Sequence, residues 1–196
     1  MTIISAILSY LVGSIPTGYI LYKLSEKKDI RRFGSQATGA TNVLRLKGWK
    51  YAIPVGLFDV LKGFFVVYFA LKLFPDKKIA LLCGFLAVLG HCFPLFIKFK
   101  GGKGIATAVG VYAALAPVPL LCSVGIFLAV VLLTRYVSLG SLLAMFSFPF
   151  FVLYFIGERA VITLSIAIFC LIIFRHMSNI KRLIAGNERK LGERAT

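Results

Sequence analysis

Residues 104–134 read GIATAVGVYAALAPVPLLCSVGIFLAVVLLT, one long apolar stretch broken by Pro117 and Pro119. It forms either one kinked helix or two short ones, and the choice sets the architecture of the whole chain. Proline inside a helix removes a hydrogen bond and clashes with the preceding turn, so a break near residue 117 is expected on local grounds. Charge supplies a second argument. Other apolar runs, at about 3–22, 51–74, 79–97, 141–156 and 160–174, each approach the roughly 20 residues that a bilayer-spanning helix needs. Basic residues collect at 23–50 and 98–103 and in the tail from 175 onward, whereas the 75–78 turn is small. Lys and Arg favour cytosolic loops. Two short helices around Pro117 and Pro119 put every basic loop on one side, while a single helix would leave the tail on the other.

The expected fold is therefore all-α: a polytopic integral membrane protein with about seven transmembrane helices, two of them short, the N-terminus outside and the C-terminus cytosolic. The 196 residues are expected to make one membrane-embedded domain. Hydrophobic residues make up 59% of the chain, above the roughly 45–50% of soluble domains, and the mean hydropathy is +0.90. A soluble protein of this size has too little interior for that surface, so lipid must cover it. The first apolar run follows Met1 and Thr2 directly, without the basic region of a signal peptide, and is read as a retained helix. Cys83, Cys92, Cys122 and Cys170 lie in apolar stretches without metal or redox spacing and are read as small buried hydrophobes. The tail from His176 is expected to lie partly helical along the surface.

The chain carries 23 Lys and Arg against 7 Asp and Glu, a net charge of +16. No nucleic-acid recognition motif accompanies that charge. Its position between and after apolar runs points to anionic lipid headgroups and phosphorylated substrates.

Three segments converge on the basic face. The first is Gly34-Ser-Gln-Ala-Thr-Gly-Ala-Thr-Asn42, followed by Arg45. Its small residues admit a ligand close to the backbone, and Ser35, Thr38, Thr41 and Asn42 offer donors. No acid occurs between Asp29 and Asp59, where Arg31, Arg32, Arg45, Lys47 and Lys50 lie, which is anion-binding chemistry. A plain polar turn with helix caps is the competing reading. The second segment, Lys98-Phe-Lys-Gly-Gly-Lys-Gly104, runs into a helix beginning near Ile105. Gly101, Gly102 and Gly104 would expose backbone N–H groups at a helix N-terminus, with Lys103 as a point charge. A Walker A loop is excluded, because Ile97 and Gly104 stand where Gly and Ser or Thr are required. A basic interfacial turn is the bland alternative. In the third segment, Arg175 to Glu188, helical spacing would put His176 and Asn179 on one face, with Arg182 near it. Lipid anchoring accounts for its charges but not for His176 and Asn179. Asp59 and Lys62 can pair at i, i+3 inside a helix, His91 suits a hydrogen-bonded packing role, and Ser138 and Ser141 look like helix caps that could donate to phosphate.

Taken in order along nearly the whole chain, these motifs resemble the bacterial acyl-phosphate:glycerol-3-phosphate acyltransferases, the PlsY family. The likeness rests on Gly13-Ser-Ile-Pro-Thr-Gly-Tyr19, the Gly34-to-Asn42 loop with Arg45, Asp59-x-x-Lys-Gly63 and Gly90-His-Cys-Phe-Pro94. It continues through Phe99-Lys-Gly-Gly-Lys-Gly104 and Ser138-Leu-Gly-Ser141 to Arg175-His-x-x-Asn-Ile-x-Arg-Leu183. The family loop usually reads Gly-Ser-Gly-Asn-x-Gly-Ala-Thr-Asn, whereas Gln36 and Ala37 stand here at the third and fourth positions, and no role is carried over to them.

The resemblance implies acyl transfer from acyl phosphate to the 1-hydroxyl of glycerol 3-phosphate. The products would be lysophosphatidic acid and phosphate, at the bacterial inner membrane with the active site facing the cytoplasm. It implies membrane lipids and the soluble enzyme that makes acyl phosphate as partners, with no nucleic acid, metal or cofactor. Ser35, Arg45, Lys103 and His176 would be catalytic. Ser35, Thr41, Asn42, Arg45, Gly101, Gly102, Lys103, Gly104, Ser141, His176, Asn179 and Arg182 would bind substrate. The acyltransferase signature of His and Asp separated by four residues is absent, since Phe96 and Lys181 stand at those places after His91 and His176. No Asp or Glu occurs between Asp76 and Glu158, so positioning and electrostatics, rather than a carboxylate base, are expected to dominate. A transporter for phosphate or a phosphorylated metabolite also fits basic loops and half-length helices. Transport, however, needs polar groups along a path to the other side, and these cluster at one mouth.

The topology yields a direct test. Single-cysteine variants at residues 117 and 118 should react with a membrane-impermeant thiol reagent added from outside the cell. Labelling from the cytosolic side alone would overturn the two-helix reading of residues 104–134.

Overall fold

A computed structural model describes residues 1–193 and is helical throughout, with no strand among the described residues. The helices are α1 (Thr2–Gly13), α2 (Thr17–Glu26), α3 (Ala40–Lys47), α4 (Trp49–Leu73), α5 (Lys77–Cys92), α6 (Ile105–Leu115), α7 (Pro117–Thr134), α8 (Val137–Phe155) and α9 (Arg159–Ile184). Short 3-10 turns occupy Ile30–Arg32 and Leu95–Ile97. Six stretches are long and apolar enough to cross a bilayer: Thr2–Glu26, Trp49–Leu73, Lys77–Ile97, Pro117–Thr134, Val137–Phe155 and Arg159–Ile184. Ile105–Leu115 is a shorter apolar helix, bringing the number to the expected seven.

The 104–134 stretch is divided at Ala116, whose backbone leaves the helical region immediately before Pro117. Proline disfavours the α conformation in the residue preceding it and is at home as the first residue of a new helix. At 1.5 Å per residue α6 reaches only about 17 Å, well short of a 30 Å hydrocarbon core, while the 18 residues of α7 approach it. A second break, around Ser14–Pro16, separates α1 from α2 inside one apolar run.

The fold divides into two compact units, residues 1–111 and residues 112–193, and the chain passes from one to the other within α6. In the first, small residues bring backbones into contact. A Cβ on Gly13 would strike the backbone of Ala87, one on Gly90 that of Tyr10, one on Gly63 that of Thr107, and one on Gly110 that of Val60. Helices in lipid gain nothing from hiding apolar faces, so close approach through such residues is what draws them together. Toward the loops, Tyr22, Ile30, Val43, Ala52 and Val55 form a buried cluster that seats α3 against α4. In the second unit α8 packs against both α7 and α9, and the Tyr112 and Phe148 rings stack with centroids 3.7 Å apart.

Large apolar side chains cover the outside: Leu132 and Leu133 of α7 are 80% and 85% exposed. In water this surface would be a liability, and in a bilayer it is the surface that lipid wets. The cysteines follow the same division. Cys83 and Cys92 are buried as expected, whereas Cys122 is partly exposed and Cys170 is exposed on helix faces. The expectation of buried hydrophobes fails for these last two because burial is not what solvates an apolar group in a membrane protein.

Gly110→Ala should force α4 and α6 apart and cost about 1–3 kcal/mol of stability. Gly125→Ala, where an added Cβ meets nothing within 4 Å, should leave the thermal midpoint in detergent unchanged or slightly raised.

Candidate active site

The loop from α2 to α3 is shaped from within. Asp29 caps the 3-10 turn by accepting from the Arg31 N–H at 2.9 Å. The Arg31 guanidinium forks onto the same carboxylate, with Nε at 3.0 Å and Nη2 at 2.7 Å, and its Nη1 donates to Ile97 O at 2.8 Å. That hydrogen bond from Arg31 is the leading reason the Asp29 carboxyl is held below its ordinary value. Arg31 therefore clips the first loop to the Gly-rich loop. Most of its hydrogen-bonding capacity goes into that clip, while it also lines, with Gln36, Lys98 and Lys100, a cavity of about 340 Å³.

Asn42, 1% exposed, closes the Gly34-to-Asn42 loop. Its Oδ1 accepts from Ser35 N at 2.8 Å, and Nδ2 donates to Phe33 O at 3.2 Å and Ala37 O at 2.9 Å. Both amide hydrogens are used, so Asn42 builds the loop and does not itself offer a donor to phosphate. The loop turns through left-handed backbone at Gly34 (φ 59°) and Gln36 (φ 60°). A glycine at position 36 would adopt that conformation without strain, which is the physical meaning of the departure at Gln36. Ser35 and Thr41 remain half-buried, and Thr41 and Arg45 stand one turn apart on α3. Arg45 is buried and lines a cavity of about 380 Å³ with Tyr22, Glu26, Lys47 and Tyr51. Lys47 is ion-paired with Glu26.

The Gly-rich loop is also a construction. Lys98 and Phe99 both take left-handed backbone (φ 58° and 59°), a strained pair for non-glycine residues. Gly101 N then donates to Cys92 O at 3.3 Å and Gly102 N to His91 O at 3.0 Å. These are carbonyls at the end of α5, which no helical N–H reaches. A Cβ on Gly101 would strike His91 O and the Pro94 ring, and one on Gly102 the imidazole of His91. The two glycines thus let the loop lie on α5, and their N–H groups are not turned to a ligand as the sequence suggested. Gly104 (φ 87°) makes the final turn into α6, with Lys103 half-buried just before it.

Beneath this loop lies a cluster of ionisable groups. Lys62, Asp59 and His91 are 5%, 1% and 7% exposed. Lys62 Nζ is 2.7 Å from Asp59 Oδ1, 3.0 Å from His91 Nδ1 and 3.0 Å from Ile15 O. Thr17 Oγ1 adds a hydrogen bond to Asp59 at 3.2 Å. The expected Asp59–Lys62 pair and the packing role of His91 are one assembly. An ammonium only donates, so His91 Nδ1 accepts, leaving the ring proton on Nε2 beside Gly102.

In the second unit α9 continues as a helix to Ile184, so His176, Asn179 and Arg182 belong to a spanning helix and not to a surface tail. The physical reason is that the residues following the apolar core keep their buried face: His176 is 2% and Asn179 1% exposed. His176 Nδ1 lies 2.9 Å from Ile172 O, and since a carbonyl only accepts, Nδ1 carries the hydrogen and Nε2 is the basic nitrogen. Past α9 the chain turns at Gly186 (φ 69°) and folds back. Leu191 N donates to Arg135 O at 2.7 Å, and Arg135 Nη2 to Leu191 O at 2.8 Å. The return places the Glu188 carboxylate, with its side chain 1% exposed, among Ser138 Oγ (2.9 Å), Asn179 Nδ2 (2.7 Å) and Arg182 Nε (2.7 Å). Burial pushes its pKa up, but the donors from Asn179, Arg182 and Ser138 outweigh burial and hold it below the ordinary glutamate value. Ser141 Oγ donates to Val137 O at 2.8 Å. Neither serine caps a helix, because α8 starts after Tyr136 without a side-chain cap.

The profile described as Glycerol-3-phosphate acyltransferase matches residues 3–186. The chain belongs to this family. It is 44% identical to a glycerol-3-phosphate acyltransferase of Thermoanaerobacter pseudethanolicus over 192 residues, 98% of this chain and 96% of that one. It is 45% identical to one of Endomicrobium trichonymphae, over 96% and 95% of the two chains. Its fold is similar to the crystal structure of the integral membrane acyltransferase PlsY (YgiH) in the glycerol 3-phosphate form. The TM-score is 0.93 at 42% identity, covering 97% of this chain and 96% of that one. The lysophosphatidic acid form of that protein matches with a TM-score of 0.90 at 41% identity, over 98% and 96%.

Within this PlsY-family chain, the sequence reading missed Glu188. Its available signal was a lone acid nine residues after Asn179 in an otherwise basic segment. No group of three or more His, Cys, Asp or Glu with metal-binding geometry occurs among the described residues.

Asp59→Ala would leave the Lys62 ammonium buried without its carboxylate, at an expected cost of about 3–5 kcal/mol. The measurement is the thermal midpoint in detergent, and adding Lys62→Met should recover part of the loss.

Proposed function

We propose that this chain transfers a fatty acyl group from acyl phosphate to the 1-hydroxyl of glycerol 3-phosphate, giving 1-acyl-glycerol 3-phosphate (lysophosphatidic acid) and inorganic phosphate. Residues 1–196 act as a single membrane-embedded acyltransferase domain at the bacterial inner membrane. The N-terminus lies outside and the active site faces the cytoplasm. The observation that carries this reading is similarity over nearly the whole chain to glycerol-3-phosphate acyltransferases, including the PlsY forms named for glycerol 3-phosphate and lysophosphatidic acid. Acyl phosphate as donor, supplied by a soluble partner enzyme, is supported by the resemblance of the loops and by the chemistry. A mixed anhydride already contains a good leaving group, so the reaction needs neither metal nor cofactor. Transport of phosphate has no comparable support.

The 1-hydroxyl oxygen attacks the acyl carbon, the bond to the phosphate oxygen breaks, and the hydroxyl proton leaves. Arg45 and Lys103 hold the phosphates and offset charge that develops on the leaving group. Ser35 and Thr41 donate to donor phosphate, with Asn42 fixing the loop that carries them. His176, Asn179, Arg182 and Ser141 position glycerol 3-phosphate. An oxygen of the donor phosphate takes the proton, since it lies beside the reacting carbonyl, and His176 Nε2 orients the acceptor.

Purified protein with acyl phosphate and glycerol 3-phosphate should release phosphate and form the acylated product; no turnover would overturn the reading. Lys103→Ala and Arg45→Ala should each lower kcat/KM by roughly 10- to 100-fold, the loss of a charge-assisted hydrogen bond of about 1.5–3 kcal/mol, without unfolding. Near-normal activity in either would make that loop only a membrane anchor.

A further inference from the structure

The membrane-spanning stretch that contains α5 ends at Ile97. Lys98 and Phe99 follow it in successive left-handed backbone, with φ of 58° and 59°. Strain of this kind persists where the surroundings hold it, and it gathers at ligand clamps. The turn presents two kinds of group. Leu95, Phe96 and Phe99 are 47%, 60% and 53% exposed, and Lys98 and Lys100 are exposed on either side of Phe99. The two lysines, with Asp29, Arg31 and Gln36 of the neighbouring loop, line a cavity of about 340 Å³. Its lining has an excess of positive charge. Asp29 is the one acid there, and Arg31 already meets it, with Nε at 3.0 Å and Nη2 at 2.7 Å. Arg31 Nη1 gives a hydrogen to Ile97 O at 2.8 Å, which leaves one hydrogen on each terminal guanidinium nitrogen. Lys98 and Lys100 add two further cations to a lining that holds no second acid.

We propose that this cavity binds the phosphate of an anionic membrane phospholipid, whose acyl chains run down the bilayer face beside Leu95 and Phe96. A phosphodiester has only acceptors to offer, and the ammonium groups and the spare guanidinium hydrogens can only donate. Gln36 brings amide hydrogens to the same space. Depth decides for a lipid over a soluble phosphate. The lysines come directly after the last residue of a spanning stretch, where headgroups lie, and the exposed rings beside them are solvated by acyl chains. None of the lining residues is assigned to acyl transfer, and the site is separate from the cavity that Arg45 lines. A headgroup held there links Arg31 to Lys98 and so braces the junction between the two loops.

The test uses the purified protein in detergent, titrated with phosphatidylglycerol while the thermal midpoint is followed. A ligand that binds the folded state raises that midpoint. Phosphatidylglycerol should raise it well before phosphatidylcholine, which carries no net charge, does so. Combining Lys98→Gln with Lys100→Gln should increase the half-saturating phosphatidylglycerol concentration by about tenfold or more, the loss of charge-assisted contacts. Combining Lys27→Gln with Lys28→Gln removes the same charge from exposed lysines outside the cavity and should leave that concentration unchanged. Lys98→Gly separates the site from the fold. Glycine takes the left-handed turn without strain, so the lipid-free midpoint should hold or rise while the response to lipid weakens. Equal weakening in both lysine pairs would mean diffuse attraction to basic loops and would overturn the proposal. So would an unchanged response when Lys98 and Lys100 are both replaced, or a shift of the same size produced by inorganic phosphate alone.

Discussion

A buried ammonium organises the first unit. Lys62 Nζ reaches Asp59, His91 and the carbonyl of Ile15, which ties α4, α5 and the break between α1 and α2 to one point. Pro16 has no N–H and interrupts the helix inside an apolar run, which leaves the Ile15 carbonyl only the tight-turn N–H of Thr17 at 3.1 Å. Lys62 adds a second donor where there is no water to bond. Thr17, just beyond the break, returns a hydrogen bond to Asp59. The charges are tolerable only because each is met by the others. Paired in this way they fix the relative positions of three segments, whereas an unpaired lysine there would be expelled or neutral.

The Gly-rich loop inherits that arrangement. His91 carries the cluster to the end of α5, where its carbonyl and that of Cys92 hold Gly102 and Gly101. The glycines lie where a side chain would collide with His91 and Pro94, so the path of the loop toward Lys103 follows from the packing beneath it. Arg31 fastens the neighbouring loop to Ile97, and Asn42 closes that loop on itself. Much of what resembles ligand-binding polarity is therefore internal scaffolding. It leaves Ser35, Thr41, Arg45 and Lys103 as the groups to which a phosphate role is assigned.

The second unit solves the same problem with the opposite charge. Glu188 is a buried carboxylate surrounded by donors from α8 and α9, and it fixes Asn179 and Arg182 as Lys62 fixes the Gly-rich loop. Each unit thus holds a buried ionic cluster whose partners include residues near the expected chemistry. In both cases low dielectric makes the hydrogen bonds directional and strong, and makes any vacant partner expensive.

The sequence by itself determined the membrane class, the set of apolar segments, the break at Pro117 and the i, i+3 pairing of Asp59 with Lys62. These depend on composition, periodicity and the missing N–H of proline, all of which act within a few residues. It also placed His176 and Asn179 on a common helical face, since their spacing alone fixes that. Only the tertiary structure decided what each polar group faces. Arg31 and Arg45 look equivalent in the chain, yet one clips two loops together through Asp29 and Ile97 while the other is buried beside Tyr22 and Tyr51. Gly101 and Gly102 read as phosphate-cradling residues, but their N–H groups close onto α5. Glu188 went unnoticed because its partners lie as far as 50 residues away in the chain. A hydrogen bond is decided by geometry over a few ångströms, and sequence separation carries no information about that distance until the helices have packed.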